Sequence, residues 1–294
     1  MSQPPYDAAC RLAAERLIQL ALSEDLGEAG DVTTTSLVDP ADQGHVQIVS
    51  RADGVLSGGS VAQRVFEVLE PKVQFELRVA DGAPLSHGTV VADLRGPQSA
   101  LLIGERTALN FLTHLCGIAS LTRRFVDTIA GTKAKIFDTR KTHPGWRRLE
   151  KYAVLCGGGA NHRIGLFDMV LIKDNHLAGW LAADRSRTLA DAVRAARTRV
   201  PAIPIEVEVD SLDQFRQVIE ASPDIVLLDN MSTAQLREAV AIRNAHAPQI
   251  ELEASGGVAL STVRAIAETG VERISAGALT HSAVALDLGF DWAE

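Results

Sequence analysis

The chain has 294 residues, 46% hydrophobic and 22% charged, with a formal net charge of -8 at pH 7. That length buries a large core as one or two domains, and the acidic balance argues against a nucleic-acid binder, which spreads positive charge over a face. The start, MSQPPYDAAC, lacks the basic and apolar segments of a signal peptide, and no apolar run nears the roughly 20 residues that cross a bilayer, so a cytoplasmic protein without membrane contact is expected.

Residues 7–22 have helical spacing, with Leu12, Leu17, Ile18 and Leu22 on one face. Short strand patterns follow at 45–51, 73–79 and 89–94. Turn signals at 52–54, 81–82 and 96–97 separate them, and one helix is interposed at 61–69. This is an α+β domain, bounded at 1–115. A helical pattern over 99–130 is apolar on most sides around 108–115, which suggests a domain or subunit interface. Beyond it the pattern changes. Apolar runs at 135–138, 169–172, 205–209, 225–228, 250–253 and 273–275 alternate with helices at 146–156, 188–199, 212–221, 234–245 and 260–268. Such alternation implies a parallel sheet with crossover helices, and six units imply a closed or nearly closed barrel. A doubly wound sheet is the alternative, weakened in its dinucleotide form by the lack of GxGxxG. The barrel domain is placed at 116–280, with 281–294 as candidates to rejoin the first domain. Cys10, Cys116 and Cys156 form no CxxC pair and read as reduced thiols, the latter two as core.

The charge is not spread evenly. The run DTRKTHPGWRRLEKYAVLCGGGANHRIGLFDMVLIKDNH, 138–176, holds Arg140, Lys141, Arg147, Arg148, Lys151, His162, Arg163 and Lys173. A cationic cluster on an acidic protein points to a small polyanionic ligand. Each apolar run also ends in residues that carry chemistry: Thr139-Arg140-Lys141, Lys173-Asp174, Glu208, Asp229-Asn230, Ser255-Gly256-Gly257 and Ala276-Gly277. In a (β/α) barrel these are the strand C-termini, where active sites lie. Alternation puts Glu206 and Glu208 on one strand face and Glu251, Glu253 and Ser255 on another, with Val207 and Val209 under the helices. Carboxylates inside a barrel need partners, for which Lys173, Arg140 and Lys135 are candidates. Glu206 and Glu251, lying deeper, read equally well as structural; Glu208 and Glu253 read as functional.

ERTALN, DTRKT.PG, GGG..HR, LIKDNH, EVEVDSLDQ, LLDN and EASGG, in this order, resemble the quinolinate phosphoribosyltransferase family. His143 and Trp146 depart mildly from its pattern. The resemblance implies an α/β protein with an incomplete (β/α) barrel and an N-terminal α+β sandwich domain. It implies transfer of phosphoribosyl from phosphoribosyl pyrophosphate to quinolinate, with decarboxylation, magnesium as cofactor, and a homodimer or higher even oligomer. It gives quinolinate to Arg140, His162, Arg163 and Lys173, with Arg106 reaching in from the other subunit, and it gives ribose to Glu208 and Asp229, magnesium nearby. The 5′-phosphate falls to backbone amides at Ser255, Gly256, Gly257, Ala276 and Gly277, and Lys141 and Lys173 face pyrophosphate, with Thr139 alongside.

Other readings stay open at this point. A related phosphoribosyltransferase of the molybdenum-transport-associated type would take another acceptor. A Schiff-base aldolase would use Lys173, and a phosphate sensor would bind without turnover. His114 and His176 read as structural.

Overall fold

A computed structural model describes residues 5–184 and 186–293. By contacts the chain divides into one unit of residues 1–123, 142–159 and 279–294 and another of 124–141 and 160–278. In chain order the elements are α1 (Ala8–Leu26), α2 (Val32–Leu37), β1 (Gln43–Ser50), β2 (Gly54–Val55), α3 (Gly59–Leu69), β3 (Gln74–Leu77), β4 (Pro84–Leu85), β5 (Val90–Pro97) and α4 (Gln98–Thr128). They continue as β6 (Lys135–Phe137), α5 (Arg147–Cys156), β7 (Val170–Ile172), α6 (Asp174–Ala183), α7 (Leu189–Arg199), β8 (Ile205–Val209) and α8 (Leu212–Ile219). The last are β9 (Ile225–Asp229), α9 (Thr233–His246), β10 (Glu251–Ser255), α10 (Val263–Ala267), β11 (Arg273–Ser275), α11 (Ala278–His281) and β12 (Leu288–Trp292). No helix among the described residues is long and apolar enough to cross a membrane.

The first unit holds a four-stranded sheet ordered β12-β1-β5-β3, every pairing antiparallel. Helix α1 starts where the Asp7 carboxylate accepts the Cys10 N–H at 2.7 Å and stops at Gly27, whose φ of 51° suits a residue without Cβ. Its buried stripe is Cys10, Ala14, Ile18 and Leu22, every fourth residue. The expected face is corrected here: Leu12 is 55% exposed, because two residues from the stripe is about 200° of helical turn. All three cysteines are free and buried.

The second unit is a parallel sheet ordered β6-β11-β10-β9-β8-β7. Strands β7 to β11 lie in sequence order and β6 adds beside β11, so the order never reverses as it would in a doubly wound sheet. Strands β6 and β7 form the two edges, and the barrel is incomplete between them. Ala160 bridges to Phe137 along the free edge of β6. After the strands, helices begin on side-chain caps: Ser211 accepts from Gln214 N for α8, and Ser232 accepts from Gln235 N for α9. These S-x-x-Q starts turn the chain sharply, so β8 and β9 end at one rim. Val207 and Val209 are buried beneath the helices as alternation requires.

Candidate active site

At the C-terminal ends of the barrel strands lies a cavity of about 640 Å³, the size of a small-molecule site. Thr139, Arg140, Lys141, His162, Arg163 and Lys173 line it, and so do Glu208, Asp229, Ser255, Gly256 and Gly257. These eleven residues, with Asn230 and Glu253 beside them, were singled out from the sequence and converge here. Three others do not line it: Ala276 and Gly277 follow β11, and Arg106 is exposed on α4 in the first unit.

The cationic wall is built by local backbone bonds. Asp138, fully buried at the end of β6, accepts the Asn161 side-chain amide at 2.7 Å and the His162 N–H at 2.8 Å. It therefore ties the segment carrying His162 and Arg163 to the strand that leads into Arg140. Arg163 Nη1 donates to the Met169 carbonyl at 3.2 Å. Burial, and then the like charge of Arg140, hold the Arg163 guanidinium below its usual range. Two guanidinium groups of like charge lining one cavity favour an anion beside them, and a guanidinium fork suits a carboxylate.

Across the cavity, Lys173 Nζ donates to Glu208 Oε2. Asp229 accepts from the Asn230 side-chain amide at 2.7 Å, and the Asn230 N–H bonds the Ser255 carbonyl at 2.9 Å, joining the ends of β9 and β10. Asn230 has a φ of 54° and Gly256 a φ of 92°. A Cβ at Gly256 would stand 2.2 Å from Asn230 Oδ1, so this position needs glycine for space as well as for conformation. Asn230 was singled out in the sequence as part of the strand end Asp229-Asn230, but its role in joining β9 to β10 was not.

The deeper carboxylates depart from expectation. Glu206 and Glu253 have no exposure, and their partners are His162 and Arg273. His162 Nε2 lies 2.9 Å from Glu206 and 3.3 Å from Glu253, and Arg273 Nε donates to Glu253 at 2.6 Å. Lys135, one of the expected partners, is exposed at the opposite end of β6. Glu251 is corrected from the interior to the rim: it is the first residue of β10, its side chain 52% exposed, and it meets Arg273 at 3.4 Å. Glu253, read from the sequence as functional, reaches the cavity wall but is held in this ion network.

Arg273 itself was missed. In parallel register it stands opposite both Glu253 and Lys135, and its guanidinium lies 3.7 Å from the Phe137 ring centroid. Burial pulls the His162 pKa down, but the hydrogen bonds and charges of Glu206 and Glu253 outweigh it and hold the imidazole up at about 9. Burial, and then the charge of Glu253, push Glu206 up. The Arg163 N–H points at His162 Nδ1 at 2.8 Å, which opposes a proton there. His162, Glu206 and Glu253 therefore share their protons, and the group titrates as a unit.

His176 is structural, its Nδ1 accepting the Lys173 N–H at 3.0 Å at the start of α6. His114 pairs with Glu150 in the first unit.

An incomplete (β/α) barrel with a cationic wall facing carboxylates and a glycine turn defines a barrel protein built to hold polyanionic small molecules. Comparison with known proteins narrows this. The family model for the C-terminal domain of quinolinate phosphoribosyl transferase matches residues 118–291, and the model for its N-terminal domain matches residues 31–116. The chain belongs to this family. It is 44% identical over 283 residues to "Nicotinate-nucleotide pyrophosphorylase [carboxylating]" of Mycobacterium leprae (strain TN), covering 95% of this chain and 97% of that one. It is 37% identical over 302 residues to "Quinolinate phosphoribosyltransferase [decarboxylating] 1" of Nicotiana glauca, covering 98% of this chain and 83% of that one. The solved nicotinate-nucleotide pyrophosphorylase from Francisella tularensis superposes with a TM-score of 0.88 at 37% identity, covering 96% of each chain.

Proposed function

We propose that the chain transfers phosphoribosyl from phosphoribosyl pyrophosphate to the ring nitrogen of quinolinate and releases pyrophosphate and CO₂, giving nicotinate mononucleotide for NAD biosynthesis. The observation that carries this reading is one cavity lined by Arg140, His162, Arg163 and Lys173 together with Glu208, Asp229 and the Ser255-Gly256-Gly257 turn. The family and its relatives' names supply the acceptor. The planar carboxylates of quinolinate suit paired guanidinium forks.

In this reading the bond from ribose C1 to pyrophosphate breaks as the ring nitrogen attacks C1. Positive charge builds on the ribose ring, as in glycoside cleavage. Glu208 and Asp229 stabilise that charge and hold the ribose hydroxyls, while Lys141 and Lys173 compensate the departing pyrophosphate. The 5′-phosphate lies against the turn 255–257 and the strand end at Ala276 and Gly277. Once nitrogen carries ribose it is cationic, and the C2 carboxylate leaves as CO₂ because that nitrogen stabilises the carbanion left behind. A proton then takes the C2 position. The chain needs no covalent nucleophile, only orientation and fixed charge.

We propose magnesium as the cofactor. Glu208 and Asp229 offer hard oxygen donors, yet each already has a partner in Lys173 or Asn230. A donor set this sparse fits Mg²⁺, which takes one or two carboxylates and fills its shell with substrate phosphate and water. When bound, the ion offsets charge on the pyrophosphate. We further propose a cytoplasmic homodimer, or a higher even oligomer, in which Arg106 of the partner subunit adds to the quinolinate end. Incubating the purified chain with quinolinate, phosphoribosyl pyrophosphate and Mg²⁺ tests the reading. Nicotinate mononucleotide and CO₂ in equal amounts are expected, and binding of both substrates without turnover overturns it.

A further inference from the structure

Away from the barrel cavity, the first unit carries another convergence of ligating side chains. Glu150 on α5 is fully buried, and two imidazoles aim at the same atom of it. His114 Nε2, from α4, lies 2.9 Å from Glu150 Oε1. His143 Nδ1, from the turn that leads into α5, lies 2.6 Å from the same oxygen. The donor atoms all fall within 4.8 Å of one another. The rings meet edge to face at 76° with centroids 5.4 Å apart.

We propose that His114, His143 and Glu150 form a binding site for a divalent transition-metal ion of the Zn²⁺ class. Two imidazole nitrogens and one carboxylate oxygen are a set such ions take while leaving a position open. Mg²⁺ prefers oxygen donors and is not expected there. Metal–ligand bonds of about 2.0–2.2 Å put tetrahedral ligand atoms about 3.3–3.6 Å apart. Each nitrogen–oxygen contact therefore opens by less than about 1 Å, within reach of a small rotation of His143, whose side chain is 56% exposed. That exposure also provides the path of entry and leaves water for the open position.

The surroundings orient the donors. The His143 N–H donates to Glu150 Oε2 at 3.2 Å, and Trp146 stands edge-on to His114 with centroids 5.1 Å apart. Trp146 in turn stacks on Phe111 at 4.9 Å. Such outer contacts hold metal-binding rings in place. The other set of close donors, His162, Glu206 and Glu253, differs because Arg273 already sits on Glu253 as a permanent cation and opposes an ion. A bound ion would tie α4, the His143 turn and α5 together.

The test uses the full chain, chelator-treated and free of any polyhistidine tag. Zn²⁺ is titrated calorimetrically in excess Mg²⁺, and Co²⁺ is followed by its visible absorption. One ion per chain is expected, with a higher thermal midpoint when bound. His114→Gln and His143→Gln should each weaken binding by about 100-fold or more, at or above the upper end of the roughly 10–100-fold typical of merely orienting groups. His162→Gln and Glu208→Gln should keep the stoichiometry. The His143 side chain is largely exposed, so its variant tests the site without a folding failure, which circular dichroism checks. Three outcomes overturn the proposal: no binding by the wild type, binding unchanged in His143→Gln, or binding lost in His162→Gln instead. The trio would then be a hydrogen-bond network that serves only Glu150.

Discussion

Arg273 donates to Glu253 at 2.6 Å while its guanidinium lies over Phe137, 3.7 Å from the ring centroid. One side chain thus answers a carboxylate with no exposure and packs the floor of the barrel. Removing it strands a buried charge, for which the scale is about 3–5 kcal/mol. Arg273→Met, which keeps the length and loses the charge, should lower unfolding free energy by an amount near the low end of that range. A chemical denaturation series measures it. A loss below about 1 kcal/mol would mean that Glu253 carries no full charge in the native protein.

The His162 network makes stability depend on pH. The imidazole is held up at about 9 against an ordinary 6.5. A raised folded pKa contributes stability that is complete below the unfolded value and is lost as pH rises through the folded one. Between pH 7 and 10 the thermal midpoint of the wild type should therefore fall. His162→Gln should be less stable at pH 7 and flatter over the same window. Parallel curves for the two proteins would show that the network proton lies elsewhere.

Lys173 and Glu208 share one contact, and this predicts coupling. Glu208→Gln and Lys173→Ala should each lower kcat by roughly 10²-fold or more, the scale of one lost electrostatic group. The double variant should lose less than the product of the two, because the second change removes a partner already stranded. Asp229→Asn should lower kcat on the same scale and leave quinolinate affinity, measured without the other substrate, nearly unchanged. A parallel loss of quinolinate affinity in folded Asp229→Asn would refute the assignment of this carboxylate to ribose.

Acceptor choice follows from the cationic wall. Nicotinate lacks the C2 carboxylate and would leave Arg140 and Arg163 repelling each other in the cleft, and rejection of an analogue without a required polar partner reaches ~10⁴-fold. Competing the two acids for phosphoribosyl pyrophosphate reads the ratio of kcat/KM directly. Comparable turnover would show that the cationic wall does not select for the C2 carboxylate.

Arg106 belongs to α4 in the first unit and not to a barrel strand end, which motivates its proposed role in the partner's site. Arg106→Ala and Lys173→Ala proteins should each be nearly inactive. Mixed and re-dimerised, they should recover about a quarter of wild-type activity, since half the dimers hold one intact site. Heterodimers without any recovery would count against the shared site and place Arg106 with its own subunit's cavity.

Much of the barrel was legible in the chain itself. Runs at 205–209, 225–228 and 273–275 coincide with β8, β9 and β11 to within a residue, because a strand beneath helices needs apolar residues on the helix-facing side even where its other face carries charge. The strand-end residues were legible for the same reason: parallel strands with helical returns bring every C-terminus to one rim, so Lys173, Glu208, Asp229 and Ser255 had to meet. The family motifs added the chemistry. What the chain alone left open was pairing. Leu12 and Ile18 looked alike as apolar helix residues until packing chose the stripe through Cys10 and Leu22. Glu251 and Glu253 share a strand face, yet one is at the rim and the other is sealed, because depth along a strand depends on where the barrel begins. Lys135 and Arg273 are both cations at strand starts, and register with Glu253 selected Arg273. Local sequence determines which residues form a strand and which way they face. Only the stagger between neighbouring strands decides which buried charge meets its partner, because that distance is set by hydrogen bonds between segments far apart in the chain.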